Sequence, residues 1–392
     1  MNLLETKKAL PILFLVMFMV MVGFGIIIPV LPFYAEKIGA SPTQLGLLMA
    51  VYSLMQLIFA PMWGRVSDRI GRKPVMMIGI AGLSLSFFMM GMANNLWMLF
   101  AARIIGGLLS SANMPTTMAY VADITSEENR GKGMGIIGAA VGLGFVFGPA
   151  IGGVFSKTSL SLPFYISGFS ALLTIVLVFL LLKESSTKES RLDNSANKAS
   201  LWTSFRGAIS ILFIMQLFIS LSMSGLEATF AYFAAKKAGM DTTHLGYIFM
   251  IMGLAGAFVQ GGLVGRLTKK YGEGAVIQGG VIISAIGFLL ILLVDSFATA
   301  AVFLTIFGIG NGVIRPSVSS LLTKRSTGGH GSTTGLLSSF DSLGRIVGPP
   351  LGGWLFSLAA GLPYISGAIL SVIAFLLYQV FRVKDTKHQT VS

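Results

Sequence analysis

Apolar runs of about 20 residues or more follow one another along the whole chain, cut by short polar breaks, and a run of that length is what a helix needs to cross a bilayer. The pattern predicts twelve spans, at 10–34, 44–64, 74–93, 96–122, 132–155, 163–182, 207–233, 244–265, 275–294, 297–322, 332–357 and 362–381. The longest polar break, KESSTKESRLDNSANKAS from Lys183, has mixed charge and no aromatic residue, so it reads as a flexible linker. The expectation is an all-α membrane protein of two six-helix bundles, 1–183 and 206–392, joined by a cytoplasmic linker at 184–205.

A repeat runs through this pattern. Within GAAVGLGFVFGPAIGG (Gly138–Gly153), Gly144, Gly148 and Gly152 fall every fourth residue, with Pro149 after the second; Gly344, Gly348, Gly352 and Pro349 repeat the design. Such glycines bare one helix face to the backbone of a neighbour, and the proline removes a hydrogen bond and kinks the rod. Leu45-Gly46 matches Leu245-Gly246, Leu162-Pro163 matches Leu362-Pro363, and Gly25 matches Gly225. With a drift of one residue, Gly64–Gly71 (GRVSDRIG) matches Gly265–Gly272 (GRLTKKYG). An even number of spans per copy makes the copies parallel, related by a pseudo-two-fold along the membrane normal, with a binding cavity between them near mid-membrane.

Composition and charge sharpen this picture. The chain is 54% hydrophobic and 11% charged, unlike a soluble globular protein. Of its 28 Lys and Arg, 21 fall on one side of the predicted spans, which makes that basic side, with both termini and the linker, cytoplasmic. The net charge of +13 is therefore mostly topology, with anionic headgroups rather than nucleic acid as its neighbours. Lys7 and Lys8 precede a stretch too long for a signal-peptide core, so the first span is read as retained. With 0 Cys there is no thiolate metal site or cysteine nucleophile, and the 3 His (His244, His330, His388) have no ligand spacing. No P-loop appears, so neither an enzyme nor an ATP-driven pump is expected. No cofactor or metal is expected either.

Four motifs carry a family resemblance: GFGIIIPVLP (Gly23–Pro32), the loop GRVSDRIGRK (Gly64–Lys73), Arg103-x-x-x-Gly107, and the glycine-proline pattern of span five. Together they resemble the major facilitator superfamily, and within it the bacterial twelve-span drug:proton antiporters of multidrug type, with the tetracycline exporters more distant. The resemblance implies alternating-access efflux of amphipathic, often cationic, drugs or antibiotics from the cell membrane, driven by the proton gradient and carried out by a monomer. A same-fold exporter of a sugar or siderophore is the alternative. It also implies a latch in which Asp68, between Gly64 and Gly71, meets the start of span eleven (Gly331–Thr334), while Arg72 pairs with Asp123. Gly144, Gly148, Pro149 and Gly152 match the family's antiporter motif.

The two copies differ most in charges placed inside spans, each costing about 2.5–3.5 kcal/mol at a helix centre. Glu227 aligns with Ile27, while Asp341 and Arg345 align with Val141 and Phe145. Arg315 aligns with Met114 or Pro115, depending on the drift. Asp341 can meet Arg345 four residues on, or Arg315 on span ten. Glu227 has nothing basic within a turn and lies about 9 Å from the outer end of span seven. There it can exchange a proton near neutrality and attract a cationic substrate. The resemblance gives span seven a functional glutamate, and GLEATF matches it. At the place where the closest pattern has an acid in span ten stands Gly312, so Asp341 is the candidate second carboxylate. Arg103 matches the family's span-four arginine and is a candidate in proton transfer, or a snorkelling side chain. Asn113, Gln56, Gln216 and Gln260 are candidate polar cavity contacts, and Tyr34, Tyr52 and Tyr232 are assigned to the interfacial belt.

Overall fold

A computed structural model describes residues 3–185, 208–325 and 330–389, with the side chains of 3–8, 330–332 and 386–389 excepted. Among them the chain is helical: α1 (Leu3–Lys37), α2 (Pro42–Ile70), α3 (Arg72–Gly91), α4 (Leu96–Ser110), α5 (Asn113–Ile124), α6 (Glu127–Phe155) and α7 (Leu162–Leu181), then α8 (Ile209–Ala238), α9 (Thr242–Phe258), α10 (Val264–Ile291), α11 (Phe297–Arg325), α12 (His330–Leu358) and α13 (Leu362–Gln389). Among the described residues, ten helical stretches have the length and hydropathy to cross a membrane.

Local chemistry sets the boundaries. Ser41 and Gln44 exchange side-chain bonds with each other's backbone N–H at 3.2 and 2.8 Å, a capping box that opens α2 behind Pro42. The fourth predicted span is broken into α4 and α5. Pro115 deprives Ser111 of its helical donor, and the ladder gives way at Ser111–Ala112. The eighth is interrupted by a π turn at Val259–Leu263 and continues into α10. The seventh runs on past its expected end to Ala238, so Lys236 and Lys237 sit in its last turn and Glu227 lies about 16 Å from that end, not 9 Å.

The matched turns of the repeat share one backbone conformation. Gly71 (φ 112°, ψ 159°) separates α2 from α3, and Gly272 (φ 80°, ψ 157°) bends α10, in a region open almost only to glycine. Gly64 takes no part in the turn: it lies inside α2, with nothing near the position a Cβ would occupy.

The chain forms two compact units. Among the described residues the first holds 3–40, 51–185 and 242–250, and the second holds 41–50, 208–241, 251–325 and 330–389. In the first, α6 lies against α1 along the predicted glycine stripe: a Cβ on Gly148 would stand 2.7 Å from the Gly25 Cα, and one on Gly144 2.4 Å from the Met21 Cβ. In the second, α12 repeats this on α8, where a Cβ on Gly348 would meet the Leu221 carbonyl at 2.4 Å. The stripes therefore join helices of the same unit at backbone distance. Each of these helices is also covered near its far end by the opening of a helix from the other repeat: Gly353 by Pro42 and Thr43, Gly153 by Thr242 and Thr243.

Candidate functional site: two sets of charges

In the first unit the charges gather at the basic end. The Arg72 guanidinium reaches Asp68 one turn before it at 2.7 Å, Asp123 at the end of α5 at 3.1 Å, and the Ser67 Oγ at 2.6 Å. Glu184, taken from the sequence as the first linker residue, accepts hydrogen bonds from the backbone N–H groups of Arg72 (2.7 Å) and Lys73 (3.1 Å). A carboxylate there satisfies the free donors at the start of α3 and faces the positive end of its dipole. Ser185 donates to Asp123 at 2.9 Å. The linker from residue 186 to 205 lies outside the described residues, and of the stretch Gly331–Thr334, to which the latch assigned Asp68, the side chains of 331 and 332 do too; among the described residues no ion pair or hydrogen bond joins Asp68 to Thr333 or Thr334.

Arg103 does not snorkel. It is 6% exposed, and its guanidinium lies over the Tyr52 ring, 4.3 Å from the centroid. Gln56 donates to the Tyr52 oxygen at 3.0 Å, and Tyr52 and Ser110 share a hydrogen bond at 2.7 Å. Tyr52 is thus the platform of a buried cation, not a belt residue; its spacing of four from Gln56 was the available signal. Tyr34 and Tyr232 are buried too, and Tyr34 donates to the Ala93 carbonyl at 2.9 Å. Asn113 opens α5 only 2% exposed, with both amide atoms lacking a hydrogen-bond partner, beside Thr116 and Thr117 whose hydroxyls also lack one.

The second unit holds its charges within the helices. Asp341 on α12 is 9% exposed and stands between two helices: Gln216 of α8 donates to its Oδ1 at 2.8 Å, and Arg315 of α11 approaches its Oδ2 at 2.8 Å. Arg315, not Arg345, is therefore its ion partner. The contact lacks hydrogen-bond alignment at Oδ2, and the Arg315 side chain is 58% exposed. Ser220 of α8 donates to the Asp341 carbonyl at 2.9 Å. Glu227 is half-buried on α8, and Arg345 of α12 is exposed. Neither belongs to an ion pair within 4.0 Å among the described residues. Gln260 is exposed in the π turn, away from any of these groups in sequence.

At its own basic end the second unit carries a pair that the sequence reading missed. Glu273 is bonded by Lys324 and, at 3.0 Å, by Ser320. The hydrogen bond from Lys324, followed by others including that of Ser320, holds its carboxyl below the usual range. Applying the one-residue drift to Arg72 and Asp123 leads to these two positions.

Two helical units of repeated design, with helices long and apolar enough to cross a membrane and charges within them, define a polytopic membrane protein. The model of the Major Facilitator Superfamily matches residues 13–332 and 212–391, and the chain belongs to that family. It is a transporter and not an enzyme. It is 32% identical over 376 residues to Multidrug resistance protein 1 of Bacillus subtilis, covering 95% of this chain and 96% of that protein. It is 27% identical over 385 residues to the Quinolone resistance protein NorA of Staphylococcus aureus, covering 96% and 98%. The fold matches a bacterial homologue of the human lysosomal transporter Spinster with a TM-score of 0.85 at 16% identity, over 98% of both chains. It also matches the nucleoside transporter NupG with a TM-score of 0.76 at 14% identity, over 98% of this chain and 99% of that one.

Proposed function

We infer that the protein exports amphipathic drugs in exchange for protons. The observation that carries the coupling is the asymmetry of the repeat: titratable carboxyls stand inside the helices of the second unit, at Glu227 and Asp341, where the first has Ile27 and Val141. Relatives that confer multidrug and quinolone resistance support the substrate class. Glu227, half-buried and outside any close ion pair among the described residues, holds a proton or the positive group of a drug, but not both. Asp341 supplies the second carboxylate, since Gly312 leaves span ten without one. The same reading places both termini and the linker in the cytoplasm, the protein in the cell membrane as a monomer, and the proton gradient as its energy source without a cofactor. The Asp68–Arg72–Asp123 cluster is the closing latch of the cytoplasmic side, and Arg103 with Tyr52 is a polar element of the first unit's transport path.

Efflux of a fluorescent lipophilic cation from energised cells tests this. Wild-type efflux stops when an uncoupler is added, and a correctly inserted Glu227→Gln protein shows none. Energised efflux that ignores the uncoupler contradicts the exchange.

A further inference from the structure

Asp341 is held from two sides that differ in kind. On α8, Gln216 is 3% exposed and donates through Nε2 to Oδ1 at 2.8 Å; a carboxylate only accepts, so the nitrogen end of the amide faces it. Among the described residues it is the one side chain hydrogen-bonded to this carboxyl. Its other end, Oε1, is buried without a hydrogen-bond partner, a costly state for an amide. On α11, the exposed Arg315 brings Nε to 2.8 Å from Oδ2 without hydrogen-bond alignment.

The two helices also differ in how they are packed. α8 meets α12 at backbone distance: a Cβ on Gly344, three residues past Asp341, would stand 2.6 Å from the Ser220 Cβ. Ser220 also donates to the Asp341 carbonyl at 2.9 Å. The glycines of α11 face other helices, Gly308 meeting Met252 of α9 and Gly310 meeting Ser284 of α10. Gln216 and Asp341 thus share a fixed seam, which Arg315 reaches from a separately packed helix. Among charged groups, Arg315 faces Asp341 from α11, and the exposed Arg345 lies one turn on along α12 itself. α8 carries no charge from Ile209 to Leu226, nor α13 from Leu362 to Phe381, and Glu227 lies about 16 Å along α8 from Gln216.

We propose that Gln216 is the positioning residue of the second carboxylate, holding the Asp341 side chain on α8 both charged and neutral, so that a proton taken up there releases Arg315 alone. The proposal rests on the reading of Asp341 as a proton carrier. An amide has a donor end and an acceptor end. It turns Nε2 toward the carboxylate; once a proton binds Oδ1, a half-turn of the amide brings Oε1 round to accept from the new O–H. Arg315 has donors only and keeps its charge, so it loses its attraction to the neutral acid. The carboxyl stays in place, and the join between α11 and the α8–α12 seam opens.

Infrared difference spectra of the full-length protein in liposomes, acid minus neutral, test this through the carboxyl C=O band of protonated Asp341, identified by its loss in Asp341→Asn. Gln216→Met keeps the length of the side chain without its amide. There the band is expected to move to the higher frequency of a carboxyl without that hydrogen bond. Maximal efflux is expected to fall about tenfold or more, the worth of one hydrogen bond at a charged group, with the KM for a lipophilic cation unchanged. Gln216→Lys, a donor only, is expected to lose the band and the efflux together. In the wild type the amide band of isotope-labelled glutamine moves on acidification and Asp341→Asn abolishes that movement, a reading that needs no change at position 216. An Asp341 band that is present but unmoved in Gln216→Met, a glutamine band that stays still, or wild-type efflux by Gln216→Lys overturns the positioning role and leaves Asp341 a proton carrier. Absence of any band assignable to Asp341 overturns the carrier reading and this proposal with it.

Discussion

Position 72 of the first repeat is an arginine bonded to an aspartate, and position 273 of the second is a glutamate bonded to a lysine. The helices, the preceding glycine with its unusual backbone and the partner position all correspond; only the signs are exchanged. What the fold requires there is attraction across two helix ends, and either polarity supplies it. The charges inside the helices behave differently. Glu227, Asp341 and Arg345 face Ile27, Val141 and Phe145 in the first repeat, which folds to the same plan without them. A feature that the fold can reverse is structural, whereas a costly charge present in one repeat only has another use.

The largest expected effect comes from carrying the reversal into the membrane. Asp341→Ala leaves Arg315 without its partner and costs about 1–2 kcal/mol, less than a fully buried pair because Arg315 is exposed. It also abolishes transport. The exchange Arg315→Asp/Asp341→Arg is expected to recover thermal stability in the purified protein but not efflux. Efflux restored by the exchange would make this pair structural as well.

At the basic end the expectation is the reverse. Arg72→Glu alone sets three carboxylates together and lowers stability by about 1–2 kcal/mol, less than a fully buried pair because Asp68 and Asp123 are partly exposed. The triple change Asp68→Lys/Arg72→Glu/Asp123→Lys copies the pattern Lys269, Glu273, Lys324 of the second repeat and is expected to restore the melting temperature. Loss of transport in that stable triple variant sharpens the comparison by separating the latch role of Asp68 from the packing of its cluster.

The smallest effect is the pH dependence of the second repeat's pair. The Glu273 carboxyl is held low, first by its hydrogen bond from Lys324, so its contribution is present above the unfolded carboxylate range. That contribution is lost as pH falls through the lowered folded value. Glu273→Gln is therefore expected to flatten the acid side of the stability curve, seen in thermal unfolding below about pH 4.5.

The spans and the repeat were legible in the sequence because a bilayer demands long apolar runs and because glycines mark close approaches and turns. Gly148, Gly348, Gly71 and Gly272 all do this in the structure, while Gly64 has the same residue type without the geometry. Charged positions were legible, but their partners were not. Arg345 lies four residues from Asp341 and is near by helical spacing, yet α11 brings Arg315 to 2.8 Å and Gln216 takes the other oxygen from α8. Tertiary packing decides that choice. Tyr52 beneath Arg103 is the same kind of case, a contact between α2 and α4 that no local pattern encodes.

Proton release on ligand binding is the most direct measurement of the exchange. Tetraphenylphosphonium carries a permanent charge and no proton of its own, so any proton released into weakly buffered solution comes from the protein. About one proton per bound cation is expected from the wild type and none per bound cation from Glu227→Gln, the linkage of two ligands competing for one carboxylate. The same proton yield from both proteins, or none from the wild type, contradicts it.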